Sequence, residues 1–396
     1  MVAAALSAAL LTACAGTPAA TSGHDRAGAS GASTSAGTPT GTVPVADPSH
    51  AVPPPGPRTQ HLTSADLLVF SQHPLPAAVV TAVQHAKGVT GVAQISLAQV
   101  SIEDRLLNVV AADPATYRLF EPAATADNQQ IWDRVAGGEL AVAAPLQKKV
   151  VLDRTGYARL GSSAAAPLVH VGAYVEAIPG LPSVVVNDAW GRALGMAAGN
   201  ALLVSTGAAA PEGVVKPVRA IVGRSVSVQR LDVVARDGLD PRALQTAYVV
   251  GSVADAIGHY TFRVLGGGKV APDPAWVASH IVTAPVPILG EVSCNRMLFP
   301  QLRAALAEVV ARGLAHTIHH YDGCYNPAYI PGTTVLSNHA FGLAIDIDAA
   351  TNQRGTRGTM NRGVVQIFEK WGFTWGGTWH YTDPMHFEMN RLVRPG

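Results

Sequence analysis

From Gly342 to Asp348 the chain alternates strictly, with Leu343, Ile345 and Ile347 on one side and Ala344, Asp346 and Asp348 on the other. That is the two-residue period of a β-strand. Carboxylates on the polar side of so apolar a strand require a cation or a hydrogen-bond donor beside them. His339 stands shortly before Gly342, where a backbone reversal would bring its imidazole next to Asp346. Farther along, Asp383-Pro384-Met385-His386-Phe387-Glu388 supplies a second imidazole, with a carboxylate three positions before it.

Two neutral imidazoles and one carboxylate make a catalytic zinc set that leaves the fourth position to water. A further carboxylate must then take the proton of that water. Asp383 is the expected general base. Glu388 is the runner-up and, with Asp348, an expected carboxylate that orients a ligand. Two helices should frame this strand-rich site. One runs over 300–312, with Pro300 in its first turn, Leu302, Leu306, Val309 and Val310 on one face, and Gly313 as its stop. The other carries Val364, Ile367, Phe368 and Trp371 before Gly372.

The order Ser337-x-His339-x-x-Gly342-x-Ala344-x-Asp346, then Trp375-Gly376-Gly377-Thr378-Trp379, then Asp383-x-x-His386-Phe387-Glu388 resembles the VanY-type zinc peptidases. These are the D-alanyl-D-alanine carboxypeptidases and L-alanyl-D-glutamate endopeptidases of the hedgehog/DD-peptidase fold. The likeness covers about residues 259–391 and implies zinc held by His339, Asp346 and His386, with Asp383 as base. It also implies hydrolysis of peptidoglycan stem peptides by a metal-activated water. Ser337, Trp375 and Trp379 are then expected to meet the substrate. One departure stands out. Relatives carry an arginine directly after Tyr-Asn-Pro, suited to a substrate carboxylate, whereas Tyr325-Asn326-Pro327 is followed here by Ala328. Arg354, Arg357 or Arg362 would have to replace it, or the enzyme would cut internally. The rival from another class is a zinc-containing but inactive module that grips peptidoglycan or docks on a transporter.

The start of the chain carries an address. Met1–Ala13 is apolar, and Leu11-Thr12-Ala13-Cys14 has the small-residue pattern of a bacterial lipoprotein cleavage site, so residues 1–14 are expected to be a signal peptide ending in a lipidated Cys14 that anchors the protein to a membrane. The run is too short to span a bilayer, which takes about 20 residues. Residues 15–58 are nearly all Ala, Gly, Ser, Thr and Pro, a composition expected to form a disordered tether with a reach of about 35 to 40 Å. Of the three cysteines, lipidation of Cys14 leaves Cys294 and Cys324, expected to pair as a disulfide outside the cytoplasm.

Residues 60–258 read as a separate mixed α/β middle domain, followed by the zinc domain over 259–396; the whole is α+β. Helices are expected near 75–83 and 128–135, and strands at Val150–Leu152, Leu168–Val171 and Val184–Val186. His170 reads as an ordinary strand histidine. Gly137-Gly138-Glu139-Leu140-Ala141-Val142, Val150-Val151-Leu152 and Arg159-Leu160-Gly161 resemble, over about 88–230, the extracellular core domain of export-type permeases. That likeness implies a docking or spacer module with an envelope protein as partner. Gly266-Gly267-Gly268-Lys269 continues into Val270 and is no phosphate loop. A net charge of +1, from 28 basic and 27 acidic residues, gives no field for nucleic acid. Ser-x-x-Lys, Gly-x-Ser-x-Gly and His-Glu-x-x-His are all absent, which removes the serine-type cell-wall peptidases, the esterases of the α/β-hydrolase kind and the His-Glu-x-x-His metalloproteases.

Overall fold

Successive residues of a strand point to opposite faces, so a strand apolar at every position must be covered on both. Val109 and Val110 are both fully buried, as are Val184, Val186, Leu202 and Leu203. They belong to the nine-stranded sheet that organises the first half of the protein. The computed structural model describes residues 47–103 and 105–395; the expected signal peptide, Cys14 and the tether as far as residue 46 lie outside them. The strands are β1 (Leu67–Phe70), β2 (Gly91–Ile102), β3 (Arg105–Ala112), β4 (Leu140–Ala143), β5 (Tyr157–Arg159), β6 (Leu168–Val175), β7 (Val184–Asn187), β8 (Ala201–Ser205) and β9 (Ser227–Arg230). Their order is β5-β6-β4-β7-β3-β2-β8-β1-β9. Pairing is antiparallel except for β3 with β7 and β4 with β6. Trp132 and Val135 of the helix Gln129–Ala136 cover one face, while Trp190, Leu146 and Leu160 cover the other.

Three small sheets follow. One joins β10 (Gln245–Ala247), β11 (Tyr260–Gly266) and β12 (Lys269–Pro272), and a second is the hairpin of β13 (Ile281–Val286) and β14 (Gly290–Asn295). The last has the order β15-β16-β18-β17, from β15 (Tyr321–Gly323), β16 (Ala344–Ile347), β17 (Phe373–Trp375) and β18 (His386–Met389). Helices Phe299–Ala311 and Arg362–Lys370 back it, close to the expected spans. Phe368 packs on Phe373 and Phe387, with ring centroids 5.1 and 4.6 Å away. Helices and strands are both well represented, in keeping with the α+β class. Among the described residues no helix is long and apolar enough to cross a membrane.

Three expectations differ from what is observed. Hydrogen bonding runs across the boundary placed at 258/259, because β10 pairs with β11 and Ala247 faces Tyr260. Val249, Val253 and Ile257 belong to the same buried cluster as the C-terminal sheet. Residues 47–58, assigned to the tether, lie against the body. Val52 N–H donates to Ala136 O at 2.7 Å, the Asn187 amide to His50 O at 2.7 Å, and the His50 ring stacks on Trp190 at 3.7 Å. The Pro53–Pro57 run makes this docking inexpensive, since proline loses little backbone freedom on ordering. Val150–Leu152 is not a strand: only Leu152 makes an isolated bridge, to Ala158, and Val151 is half exposed. His170 is a strand residue, as expected, with Nδ1 2.6 Å from the buried Glu139.

Candidate functional site

The reversal expected between His339 and Asp346 is built by a single 3-10 turn, Asn338–Phe341, ended by Gly342 at φ 65°. A side chain there would be strained in that left-handed conformation and would place a Cβ 2.7 Å from the backbone nitrogen of Asn295. Ser337 caps the turn, its hydroxyl oxygen accepting from the His339 N–H at 3.2 Å. The chain then enters β16, where Asp346 sits directly opposite His386 of β18. The turn and the strand register together bring three side chains to one point.

His339 Nε2 lies 3.2 Å from Asp346 Oδ1, and His386 Nδ1 lies 3.2 Å from the same oxygen. The two ring nitrogens are 3.1 Å apart. His339 Nδ1 is 2.8 Å from the Cys324 carbonyl oxygen, an acceptor only, so Nδ1 carries the hydrogen and Nε2 presents a lone pair. His386 Nε2 faces Glu388 Oε2 at 3.4 Å, which likewise turns Nδ1 inward. The ligand atoms of His339, Asp346 and His386 all lie within 4.8 Å of one another, a group able to hold a metal. Two imidazole lone pairs and a carboxylate aimed at one point suit a zinc-sized cation with N and O ligands.

Asp383 lies on the loop entering β18. Its carbonyl accepts from His386 N–H at 3.1 Å and its own N–H donates to Gly376 O at 2.8 Å. The side chain is buried, and Arg354 Nε stands 3.5 Å from Oδ2. Gly376 permits this approach, since a Cβ there would meet Asp383 O at 2.4 Å. Of the three arginines considered as replacements at Ala328, Arg354 is beside the expected base, with its guanidinium over the Tyr381 ring. Arg362 instead stacks over Trp375 at 4.2 Å.

The remaining expected residues divide. Glu388 is 1% exposed, accepts from the Asn338 amide at 2.6 Å and faces His386, as a ligand-orienting carboxylate would. Trp379 tilts against His386 with centroids 5.2 Å apart. Trp375 does not meet substrate in this arrangement: it is 2% exposed within the core, and its Nε1 donates to Pro384 O. Asp348 does not face the imidazoles either. It turns off the strand at φ 52° and accepts from the N–H groups of His319 and His320 at 2.9 and 2.7 Å. Cys294 and Cys324 are joined by a disulfide. The sequence reading missed Asn338, although it neighbours His339, and it missed Ser101 and Ser162, which no local pattern connects to the site.

Residues 331–389 match the family described as D-alanyl-D-alanine carboxypeptidase. The matched stretch contains His339, Asp346, Asp383, His386 and Glu388. It supports a peptidase of the D-alanyl-D-alanine carboxypeptidase kind at the C-terminal end of the chain. A search of curated proteins found no match.

Proposed function

We propose that the protein is a VanY-type zinc peptidase that hydrolyses peptidoglycan stem peptides outside the cytoplasm. The observation that carries this reading is the convergence of His339 Nε2, Asp346 Oδ1 and His386 Nδ1 inside the matched segment, with an acceptor behind the far nitrogen of each imidazole. When bound, zinc acidifies a coordinated water and polarises the scissile carbonyl. His339, Asp346 and His386 would hold it.

Asp383 takes a proton from the attacking water and returns it to the leaving amine. Arg354 stands beside Asp383, with Nε 3.5 Å from Oδ2. Trp379 shields one edge of His386 and leaves the peptide to approach from the more open side, where His339 and Asp346 are partly exposed. The disulfide is at home in an oxidising compartment, and Cys14 is the proposed membrane anchor.

The test is to incubate the full chain with stem peptides, in zinc and then in chelator, and to follow the products by mass spectrometry. Zinc-dependent release of D-alanine identifies a carboxypeptidase, and a cut between L-alanine and D-glutamate identifies an endopeptidase. Stoichiometric zinc without any cleavage overturns the peptidase in favour of a peptidoglycan-binding module.

A further inference from the structure

Glu388 is buried to 1% exposure, and a carboxylate that deep must be supplied with donors. The Asn338 side-chain amide gives one hydrogen to Glu388 Oε2 at 2.6 Å and its other to Ser101 Oγ at 2.9 Å. Ser101 belongs to β2 of the nine-stranded sheet, 237 residues away in the chain. Ser162, between β5 and β6, places its hydroxyl within reach of both the Ser101 carbonyl at 2.8 Å and Glu388 Oε1 at 3.3 Å. On its far side Glu388 faces His386. A polar chain thus runs from the large sheet to a proposed zinc ligand.

The part of the sheet that supplies Ser101 is anchored. β2 pairs with β3 from Ser96 to Ile102, and on its other edge Gln99 exchanges backbone hydrogen bonds with Tyr248 and Val250. At the hairpin tip Glu103, at φ 47°, accepts from the His380 N–H at 3.2 Å, next to the Trp379 that leans on His386. Leu106 packs into the core of the C-terminal half. Contacts made only for packing would be apolar and scattered. Those of the serines end instead on the carboxylate behind one imidazole.

We propose that the nine-stranded body is a working part of the metal site, with Ser101 and Ser162 as positioning residues that fix the Glu388 carboxylate and, through it, the ring of His386. The inference rests on the zinc reading above. Residues 259–396 would then carry every proposed ligand and lack the groups that hold one of them in orientation. Imidazoles need such support, because a ring turned by half a revolution presents a carbon where the ligating nitrogen stood.

The test uses the full chain and three proteins: wild type, Ser101→Ala/Ser162→Ala, and Ser101→Thr/Ser162→Thr. Both serines line a cleft of about 230 Å³ that has room for an added methyl group. Zinc affinity is measured by competition with a chromogenic chelator, and thermal unfolding is measured without metal. The alanine pair should bind zinc about tenfold more weakly, at the low end of what outer partners of metal ligands contribute. The threonine pair should restore binding, and the metal-free midpoints show whether a weakened variant is still folded when zinc is added. An alanine pair that binds zinc as tightly as wild type overturns the inference, as does a loss that threonine fails to rescue. Wild type that binds no zinc overturns the metal reading itself, so the two failures are told apart.

Discussion

Replacing both disulfide cysteines, Cys294→Ala/Cys324→Ala, should cost stability and zinc affinity together. The bond closes a loop with a sequence separation of 30. Constraining a loop of that length removes chain entropy worth about 3 to 4 kcal/mol from the unfolded state. Both cysteines are at most 1% exposed, so truncating their sulfurs adds a packing loss of about 1 kcal/mol. The sum is about 4 to 5 kcal/mol, which at a slope of about 2.5 kcal/mol per molar urea lowers the unfolding midpoint by nearly 2 M. The site should feel the change because the Cys324 carbonyl accepts from His339 Nδ1, and Cys324 Sγ packs on the Gly342 carbonyl at the turn that presents His339. Zinc binding by the folded variant should weaken about tenfold. Urea titration and chelator competition on the same preparation measure both effects. A stability loss under about 1 kcal/mol would refute the loop argument. Full zinc affinity in a variant that has lost the expected stability would refute the link to His339.

Asp383→Asn should lower turnover by about a hundredfold to ten-thousandfold while zinc remains bound, and unchanged turnover would remove Asp383 as the base. Burial pushes the Glu121 carboxyl up to about 8 against 4.5 when unfolded, with a hydrogen bond to Tyr117 opposing it. The folded chain therefore keeps a proton that the unfolded chain releases. Stability from this group is fully present below about pH 4.5 and is lost as pH rises towards 8. Glu121→Gln should flatten that arm of the melting-temperature profile, and an unaltered slope would sink the assignment. Glu308 accepts from Lys370 and Trp371 at 2.7 and 2.8 Å, and also from Arg312. These bonds, that to Lys370 first, hold its carboxyl down at about 2. The resulting stability is present above the unfolded value and lost as pH falls through 2, so Glu308→Gln should melt earlier than wild type at neutral pH and alike near pH 2.

The site was legible where its chemistry is local. The alternation through Asp346, the left-handed glycine after His339 and the Asp383/His386 spacing are each written within ten residues, and each has a backbone consequence. Two helices were legible from periodicity for the same reason. Trp375 was misjudged because an aromatic beside paired glycines reads alike whether the ring faces a cleft or the core. Its inward turn depends on Pro384 and Arg362, which only the fold brings near. Asp348 kept the strand parity, yet the backbone leaves the strand one residue earlier. The docking of residues 47–58 escaped notice because its partners, the Asn187 amide, Arg118, Asp127 and the Trp190 ring, lie far along the chain, which composition does not encode. Ser101 and Ser162 are legible only to a reader who already knows the sheet order.

Asp346 and His386 are opposite partners across β16 and β18, so the ligand set is a matter of strand pairing. A slip of one residue would set Asp346 against Met385 or Phe387 and turn the whole strand over, apolar side to solvent. Such a slip takes His386 out of the set and leaves only the pair that the 3-10 turn builds. A cation that binds only the correct pairing stabilises that pairing alone, by about 2.7 kcal/mol when its concentration is a hundred times its dissociation constant. The metal proposed for catalysis would thus also proofread the sheet, rewarding one register and leaving every misaligned one without reward.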